Sequence, residues 1–255
     1  MLFDTFHVLY MVISVALTVG LLILFGKVCK TDGAKNLTLK LIAVLVVIVH
    51  YSELWVSYLT KGIAMVDSPM LFPIYPCNVM MWLLLLTAFI KNRDTIFYRM
   101  LSEFVVMAGT VCGILGIVLN ENYAAGGLDS YGVFSGLFSH SVMILGCLYL
   151  FFHSKVKFSV FNVISVASGL LLFIINGAVI NTIFHLAGQE TPNSMYLIEA
   201  PFASMPWVTT ITIGIAALLL VFVFTVIFEQ IAYRPEDRWY RKLKNIFKNQ
   251  KIKSN

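Results

Sequence analysis

Long apolar runs dominate the chain, and short polar segments separate them. A membrane-spanning helix needs about 20 apolar residues, because the hydrocarbon core is about 30 Å thick and a helix rises about 1.5 Å per residue. Seven runs reach this length, so the pattern predicts an all-α polytopic bundle of seven transmembrane helices. These spans are expected near Phe6 to Lys27, Leu37 to Thr60, Met70 to Ile90, Ile96 to Leu119, Val133 to His153, Phe158 to Leu186 and Met205 to Ala232.

The overall composition agrees with this pattern. Hydrophobic residues make up 59% of the 255 residues and charged residues only 12%. A soluble globule of this length needs more polar surface than that. No basic residues precede the first run and no small-residue cleavage site follows it, so it is expected to stay as a spanning helix.

The basic residues predict the orientation. When the seven spans are laid across a bilayer, 17 of the 18 Lys and Arg residues fall on one side and Lys61 alone falls on the other. Basic residues that flank spans remain in the cytoplasm. The N-terminus is therefore expected outside and the C-terminus in the cytoplasm, in the cell membrane, with a transmembrane domain at 1–232 and a basic tail at 233–255.

The tail has an amphipathic pattern, with Trp239, Leu243, Ile246 and Phe247 at helical spacing and basic residues between them. Such a helix lies on anionic lipids at the membrane surface. A solvated tail that only enforces orientation is an equally open alternative. The basic residues form no patch beyond what topology demands, so no nucleic-acid partner is expected.

The remaining spacings indicate packing more than chemistry. The four cysteines contain no CxxC pair, and the histidines share no HxxxH spacing on one helix, so neither a disulfide framework nor a metal site is predicted. No motif implies a cofactor. Small residues that let helices approach closely in lipid recur in the fourth and fifth spans. They are Gly109, Cys112, Gly113, Gly116, Gly132 and Gly136.

Polar side chains within the spans are costly in hydrocarbon, so each indicates an internal pair, a cavity or a site. Nearly all are expected in the outer half of the bundle. They are His50, Glu53, Cys77, Asn78, Asn120, Glu121, His140, Asn176, Asn181 and His185. His50 and Glu53, three residues apart, could pair with each other. Glu103 is an exception in the inner half, where a structural pair with a neighbour is expected.

Cys77 has a specific local context. Pro76 suits the first position of a helix, which would place Cys77 in the first turn. There the positive end of the helix dipole favours a nucleophilic thiolate, and His140 could act as its base if the third and fifth spans are neighbours. The alternatives are that Cys77 packs as a small apolar residue and that His140 only bonds across helices. Asn176, Asn181 and His185 could also be interhelical contacts.

Several dispersed motifs resemble those of the YwaF-like integral membrane proteins, which are related to the animal transmembrane protein 164 group of phospholipid acyltransferases. The likeness covers about residues 70 to 210, and the tail after Arg234 departs from it. The motifs are Pro73-x-x-Pro76-Cys77-Asn78, Phe138-Ser139-His140, Asn181, Asn193-Ser194-Met195-Tyr196-Leu197, Pro201 and Pro206-Trp207.

The resemblance implies transfer of a fatty acyl chain from a donor phospholipid to a lysolipid acceptor through a cysteine thioester. Cys77 would be the nucleophile and His140 its general base. Asn78 and Asn181 would orient the pair or polarise the acyl carbonyl. The wider set of orienting or substrate-contacting candidates is Asn176, His50, Glu53 and His185.

Two other functions remain open from the sequence. A transporter or binding protein would use the polar set to line a solute or proton pathway, but these residues stop in the outer half and the two halves of the chain show no inverted repeat. In an assembly protein the same residues would only hold helices together. Substitution of Cys77 by Ser separates these functions, because a packing residue tolerates the change and a nucleophile does not.

Overall fold

The computed structural model describes residues 2–62, 71–120, 123, 130–153, 156–200, 206–207 and 209–244. Within these residues the chain forms seven main helices and no strand. Their bounds are α1 Thr5–Val28, α2 Asp32–Lys61, α3 Pro76–Phe89, α4 Ile96–Val118, α5 Tyr131–His153, α6 Asn162–Leu186 and α7 Thr210–Ala232. Short 3-10 turns occupy Ser194–Tyr196 and Pro235–Asp237.

Local capping fixes several of the helix ends. Asp4 precedes α1 and accepts a hydrogen bond from the backbone of His7 at 2.9 Å, which satisfies one of the free N–H groups of the first turn. Gly62 ends α2 in the left-handed conformation, with φ of 68°, which glycine adopts without strain. At α7, the side chains and backbones of Thr209 and Thr212 bond reciprocally in a capping box.

The helices agree with the apolar runs in the sequence. Six are long and apolar enough to cross a membrane by length and composition. α3, at 14 residues, is shorter than a full span, because its regular part begins only at Pro76. The chain is thus an all-helical, polytopic membrane protein. The seventh crossing and the orientation remain predictions.

α5 is the central helix of the bundle. It packs against α1, α2, α3 and α4, and α3 also contacts α2 and α4. α6 lies on the far side of α4, and α7 packs on α6. The third and fifth spans are therefore neighbours.

In α1 and α7 the buried side chains are polar and most of the exposed ones are apolar, which is the reverse of the distribution in a soluble protein. The buried residues of α1 are His7, Ser14 and Thr18, and those of α7 are Thr225 and Glu229. Large apolar side chains cover the outward faces instead, as is expected where lipid surrounds the protein.

The predicted close packing of small residues occurs between α4 and α5. A Cβ added at Gly109 would lie 2.6 Å from Cys147 Sγ, and one added at Gly113 would lie 2.5 Å from Ile144. A π-helical turn at Val105–Gly109 leads directly into this glycine-lined face. Such turns are frequent where a helix is adapted to a functional site.

Two carboxylates lie at the opposite end of the bundle from Cys77. Glu103 accepts a hydrogen bond from Ser165 Oγ at 2.5 Å and has Arg99 Nε 4.0 Å away, which confirms the expected structural pair. Glu229 is fully buried, and the sequence analysis missed it because it lies among Phe and Ile residues. Of the tail, Ile246 and Phe247 lie outside the described residues, as does Glu121.

Candidate active site

Cys77 lies in the first turn of α3. Tyr75 precedes the helix in an extended conformation, with φ of −100° and ψ of 155°, and Pro76 occupies the first helical position. A proline there loses nothing, since its missing N–H has no acceptor in the first turn. The half-buried thiol donates a hydrogen bond from Sγ to Asn78 Oδ1 at 3.3 Å. Because that bond uses the thiol proton, a base must remove the proton before the sulfur can attack.

The hydrogen bond of His140 fixes its tautomer. Its Nδ1 atom lies 2.6 Å from the carbonyl oxygen of Gly136, one turn earlier in α5. A carbonyl can only accept, so Nδ1 carries the proton and Nε2 of the neutral ring holds the free lone pair. The residue is buried, at 7% exposed. The fold therefore supplies a neutral imidazole with a basic Nε2 atom.

His50 and Tyr51 connect the helices that carry Cys77 and His140. Buried His50 has no hydrogen-bond partner at Nε2 among the described residues, and it lies on α2, which packs against the helix of His140. The rings of His50 and Tyr51 meet edge to face, with centroids 5.1 Å apart. Tyr51 is joined by a hydrogen bond to Trp82 on α3, the helix that carries Cys77. Because α2, α3 and α5 pack against one another, these four residues are called the cluster below.

Tyr51 is a candidate that the sequence analysis missed. An aromatic residue in an apolar helix is usually explained by packing or by the membrane interface. Here its hydroxyl oxygen accepts a hydrogen bond from Trp82 Nε1 at 2.8 Å, which leaves the phenolic proton to donate elsewhere. Only the pairing of α2 with α3 reveals this arrangement.

The lead-in segment, residues 71–75, is held in place by a distant part of the chain. Asn176 Nδ2 donates to the carbonyl oxygen of Pro73 at 2.9 Å. The carbonyl of Ile74 accepts from Ser194 Oγ and from the backbone of Met195, both at 2.9 Å. Three bonds from beyond α5 therefore set the position from which α3, and with it Cys77, begins.

The loop that makes these bonds is itself clamped. Asn181 accepts from the backbone N–H of Ser194 at 2.7 Å and donates to its carbonyl at 3.4 Å. A Cβ added at Gly177 would lie 2.8 Å from the same carbonyl, so the loop lies directly on α6. Met195 and Tyr196 adopt left-handed φ values of 55° and 53°. Such strain costs about 1–3 kcal/mol per residue and persists only where neighbours enforce it.

The six orienting candidates therefore occupy different environments. Asn78 accepts the hydrogen bond of the thiol, and His50 lies on α2, which packs against the helix of His140. Asn176 and Asn181 bond to backbone groups of the lead-in segment and its loop, so they can act on Cys77 through the backbone of that segment. The remaining two candidates, Glu53 and His185, lie elsewhere.

Glu53 and His185 are outside the cluster. The Glu53 carboxylate lies against Gly132, where an added Cβ would be 2.3 Å from Oε1. It does not pair with His50, whose Nε2 has no partner, so the pairing that their spacing allowed is wrong. His185 is exposed on α6.

A group of hydrogen-bonded side chains holds the segment that follows the end of α4. Asn120 Nδ2 donates to the carbonyl of Gly116 at 3.2 Å, and Asn120 Oδ1 accepts from the backbone of Tyr123 at 2.9 Å. The Tyr123 hydroxyl donates to Asp4 at 2.6 Å. This bond holds the pKa of Asp4 below its ordinary value and raises the pKa of Tyr123 to about 12. α1 and α4 are thereby joined at this end.

Among the described residues, no group of three or more His, Cys, Asp or Glu side chains is arranged to hold a metal ion.

Comparison with known sequences identifies the family. No curated protein and no solved structure matches the chain. The sequence model of the TMEM164 family matches residues 2–228, which include all seven helices up to the last turn of α7. The chain therefore belongs to the TMEM164 family.

Proposed function

We propose that this protein is an integral membrane phospholipid acyltransferase that uses Cys77 as nucleophile and His140 as general base. The observation that carries the proposal is a protonated thiol at the start of α3 and, on the neighbouring helix α5, a neutral imidazole whose Nε2 holds the lone pair. Nucleophile and base on neighbouring elements are the usual arrangement for covalent catalysis.

In the first half-reaction, His140 Nε2 takes the proton from Cys77 Sγ, and the sulfur attacks the ester carbonyl of a donor phospholipid. The tetrahedral intermediate collapses as the carbon–oxygen bond breaks. The departing oxygen takes the proton from Nε2 and leaves as a lysolipid, while the acyl group stays on sulfur as a thioester.

In the second half-reaction, the hydroxyl of a lysolipid acceptor loses its proton to His140 Nε2 and attacks the thioester. The carbon–sulfur bond breaks, the proton returns to sulfur, and a new ester is released. Water in place of the lysolipid would give a lipase or thioesterase, so exclusion of water decides between transfer and hydrolysis.

Two donors are available for the negative charge that develops on the carbonyl oxygen. Asn78 uses Oδ1 for the thiol, which leaves its Nδ2 hydrogens free to donate, and Tyr51 retains its phenolic proton. Donors placed before the reaction begins stabilise such charge strongly in a site from which water is excluded.

The surroundings suit a lipid substrate at the outer face of the cell membrane. Trp82, which orients Tyr51, is 42% exposed, and Tyr75, immediately before the helix of Cys77, is 39% exposed. An acyl chain can therefore approach from the lipid side without crossing polar surface. The positive-inside distribution of basic residues predicts that this end of the bundle lies outside.

The bonding of the polar residues disfavours the transporter alternative. The pathway would have been lined by His50, Glu53, Glu121, His140 and His185. Of these, His140 already bonds to a backbone carbonyl and His185 is exposed on α6. A pathway needs polar groups that are free to exchange partners with a solute.

Intact-protein mass spectrometry of the purified chain, after incubation with phospholipid, tests the proposal. The wild type should gain a fatty-acyl mass that neutral hydroxylamine removes. Cys77→Ser should gain none, whereas Cys112→Ser, which changes a half-buried cysteine in the adjacent α4, should behave as the wild type. An adduct that survives Cys77→Ser, or a folded wild type that gains no adduct, would contradict the proposal.

A further inference from the structure

A polar cavity lies at the end of the bundle opposite Cys77, where α4 and α6 begin and α7 ends. Its volume is about 650 Å³. Its walls come from the first turns of α4, from residues 157–162 before and at the start of α6, and from the chain that follows α7. It shares no residue with the cluster around Cys77.

The cavity has a positive charge balance. Arg99, Lys157 and Lys242 line it together with two carboxylates, Glu103 and Asp237. Within the described part of the chain, neither lysine forms an ion pair. Arg99 meets Glu103 only through Nε, at 4.0 Å, so the outer edge of its guanidinium remains free for a bidentate contact. One excess positive charge matches the single negative charge of a phosphodiester.

One side of the lining is apolar and lies at the outer surface of the helices, beside the polar residues Ser159, Asn162, Ser165 and Tyr233. Ile96 and Ile164 are 67% and 60% exposed on the outer surfaces of α4 and α6, and Met100 and Phe161 lie beside them. Acyl chains can pack along this surface while a headgroup occupies the cavity. The site thus combines a charged cavity for a headgroup with an apolar surface for acyl chains, as binding of a phospholipid requires.

A buried carboxylate holds the two basic sides of the cavity together. Glu229 accepts hydrogen bonds from Ser159 Oγ at 2.7 Å, from the backbone of Val160 at 3.0 Å and from the backbone of Trp239 at 2.7 Å. These bonds tie the segment of Lys157 and the segment of Lys242 to the end of α7. Binding therefore requires little ordering of either segment.

We propose that this cavity binds one phospholipid with an anionic headgroup, its phosphate held by Arg99, Lys157 and Lys242 and its acyl chains lying along α4 and α6. The site is distinct from the acyl-transfer site and does not depend on that chemistry. By the basic-residue distribution it takes its lipid from the cytoplasmic leaflet.

Native mass spectrometry of the full chain in detergent tests the site, with phosphatidylglycerol, phosphatidylcholine and inorganic phosphate as probes. The test variant is Lys157→Gln/Lys242→Gln. The matched control is Lys91→Gln/Lys244→Gln, which removes two exposed charges from the same end of the bundle outside the cavity. Arg99→Lys is a third variant, which keeps the charge and removes the bidentate fork.

We expect one tightly bound phosphatidylglycerol on the wild type and on the control variant. Affinity should fall about 30-fold in the test variant, because each basic residue near an anionic lipid contributes about fivefold. Arg99→Lys should weaken binding even if the double variant fails to fold. Equal loss in the control pair, equal binding of phosphatidylcholine, or displacement of the lipid by millimolar inorganic phosphate would overturn the proposal.

Discussion

The imidazole of His140 fills the space that Gly116 leaves open, since a Cβ atom at Gly116 would lie 2.1 Å from its Cδ2 and 2.2 Å from its Nε2. No real Cβ contact is this short, so any side chain at this position must move the ring or separate α4 from α5. The position of His140, the proposed general base, therefore depends on Gly116, a residue of another helix that has no side chain.

Gly116→Ala should abolish most of the acyl transfer while the protein still folds. The added methyl group displaces the ring by more than 1 Å, and misplacement of a catalytic group on that scale costs about 100-fold in rate. Overpacking should lower the free energy of unfolding by about 1–3 kcal/mol. Single-turnover formation of the thioester and the thermal unfolding midpoint in detergent measure the two effects.

Gly136→Ala is the matched control for this variant. Its added Cβ would lie 3.7 Å from Asn120 Nδ2, an ordinary contact distance, so rate and stability should both stay near wild type. If Gly116→Ala retained the wild-type rate, the ring would not need its present position, and His140 would be excluded as the base.

Tyr51→Phe should slow thioester formation by about 10- to 100-fold without preventing it. The change removes the phenolic proton that stabilises the developing oxyanion but keeps the ring that packs on His50. Pre-steady-state mass spectrometry of the acyl adduct gives the rate. Trp82→Phe should have a smaller effect, because it removes only the donor that orients the hydroxyl. An unchanged rate in Tyr51→Phe would leave Asn78 as the sole oxyanion donor.

Asn181→Ala should lower stability and activity together. The change removes both bonds to Ser194 and leaves its buried N–H unpaired, which costs about 1–3 kcal/mol, while its carbonyl keeps the bond from the backbone of Leu197. The loop then holds the lead-in segment less firmly, so the position of Cys77 becomes less fixed. The rate of thioester formation should therefore fall together with the stability. His185→Ala, one turn further along α6 and exposed, should change neither quantity.

The same pair of variants decides the role of Asn181. A direct oxyanion role would give a large fall in rate with an unchanged unfolding midpoint. Coupled losses, with the rate partly recovered at lower temperature, would assign Asn181 to positioning of the loop.

The sequence predicts the helices well because their causes are local. Hydropathy fixes where each helix lies, and Pro76 fixes where α3 begins, so each predicted span overlaps a helix. Contact between α3 and α5 could be stated only as a condition for the role of His140. The order of helices around a bundle depends on packing between distant segments, which the sequence does not reveal.

The functions of the asparagines could not be predicted for the same reason. The partner of Asn176 is a carbonyl 103 residues earlier in the chain, and a backbone acceptor has no signature in the sequence. Tyr51 was missed because its hydroxyl acquires a role only through Trp82, 31 residues later. The glycine pattern did predict close packing, but not that His140 would occupy the gap at Gly116.

The bond between Asp4 and Tyr123 should make the stability of the bundle depend on pH at both extremes. The pKa of the Asp4 carboxyl lies below its ordinary value of 3.8, because the Tyr123 hydroxyl donates to the carboxylate. Its contribution is therefore complete above about pH 4 and is lost as the pH falls through the lowered pKa. The same bond raises the pKa of Tyr123 from 10.0 to about 12, so this contribution is complete below pH 10 and is lost as the pH rises towards 12.

Two variants separate this bond from the general effects of extreme pH. Tyr123→Phe removes the hydroxyl and should lower the unfolding midpoint at neutral pH while flattening both limbs of the profile. Asp4→Asn keeps a good helix cap for α1, so it should flatten the acid limb without loss of the helix. Thermal unfolding of each variant from pH 3 to 12 gives the profiles. If the acid and alkaline limbs stayed as steep in both variants as in the wild type, the pH dependence would come from other groups. This bond would then not stabilise the contact between α1 and α4.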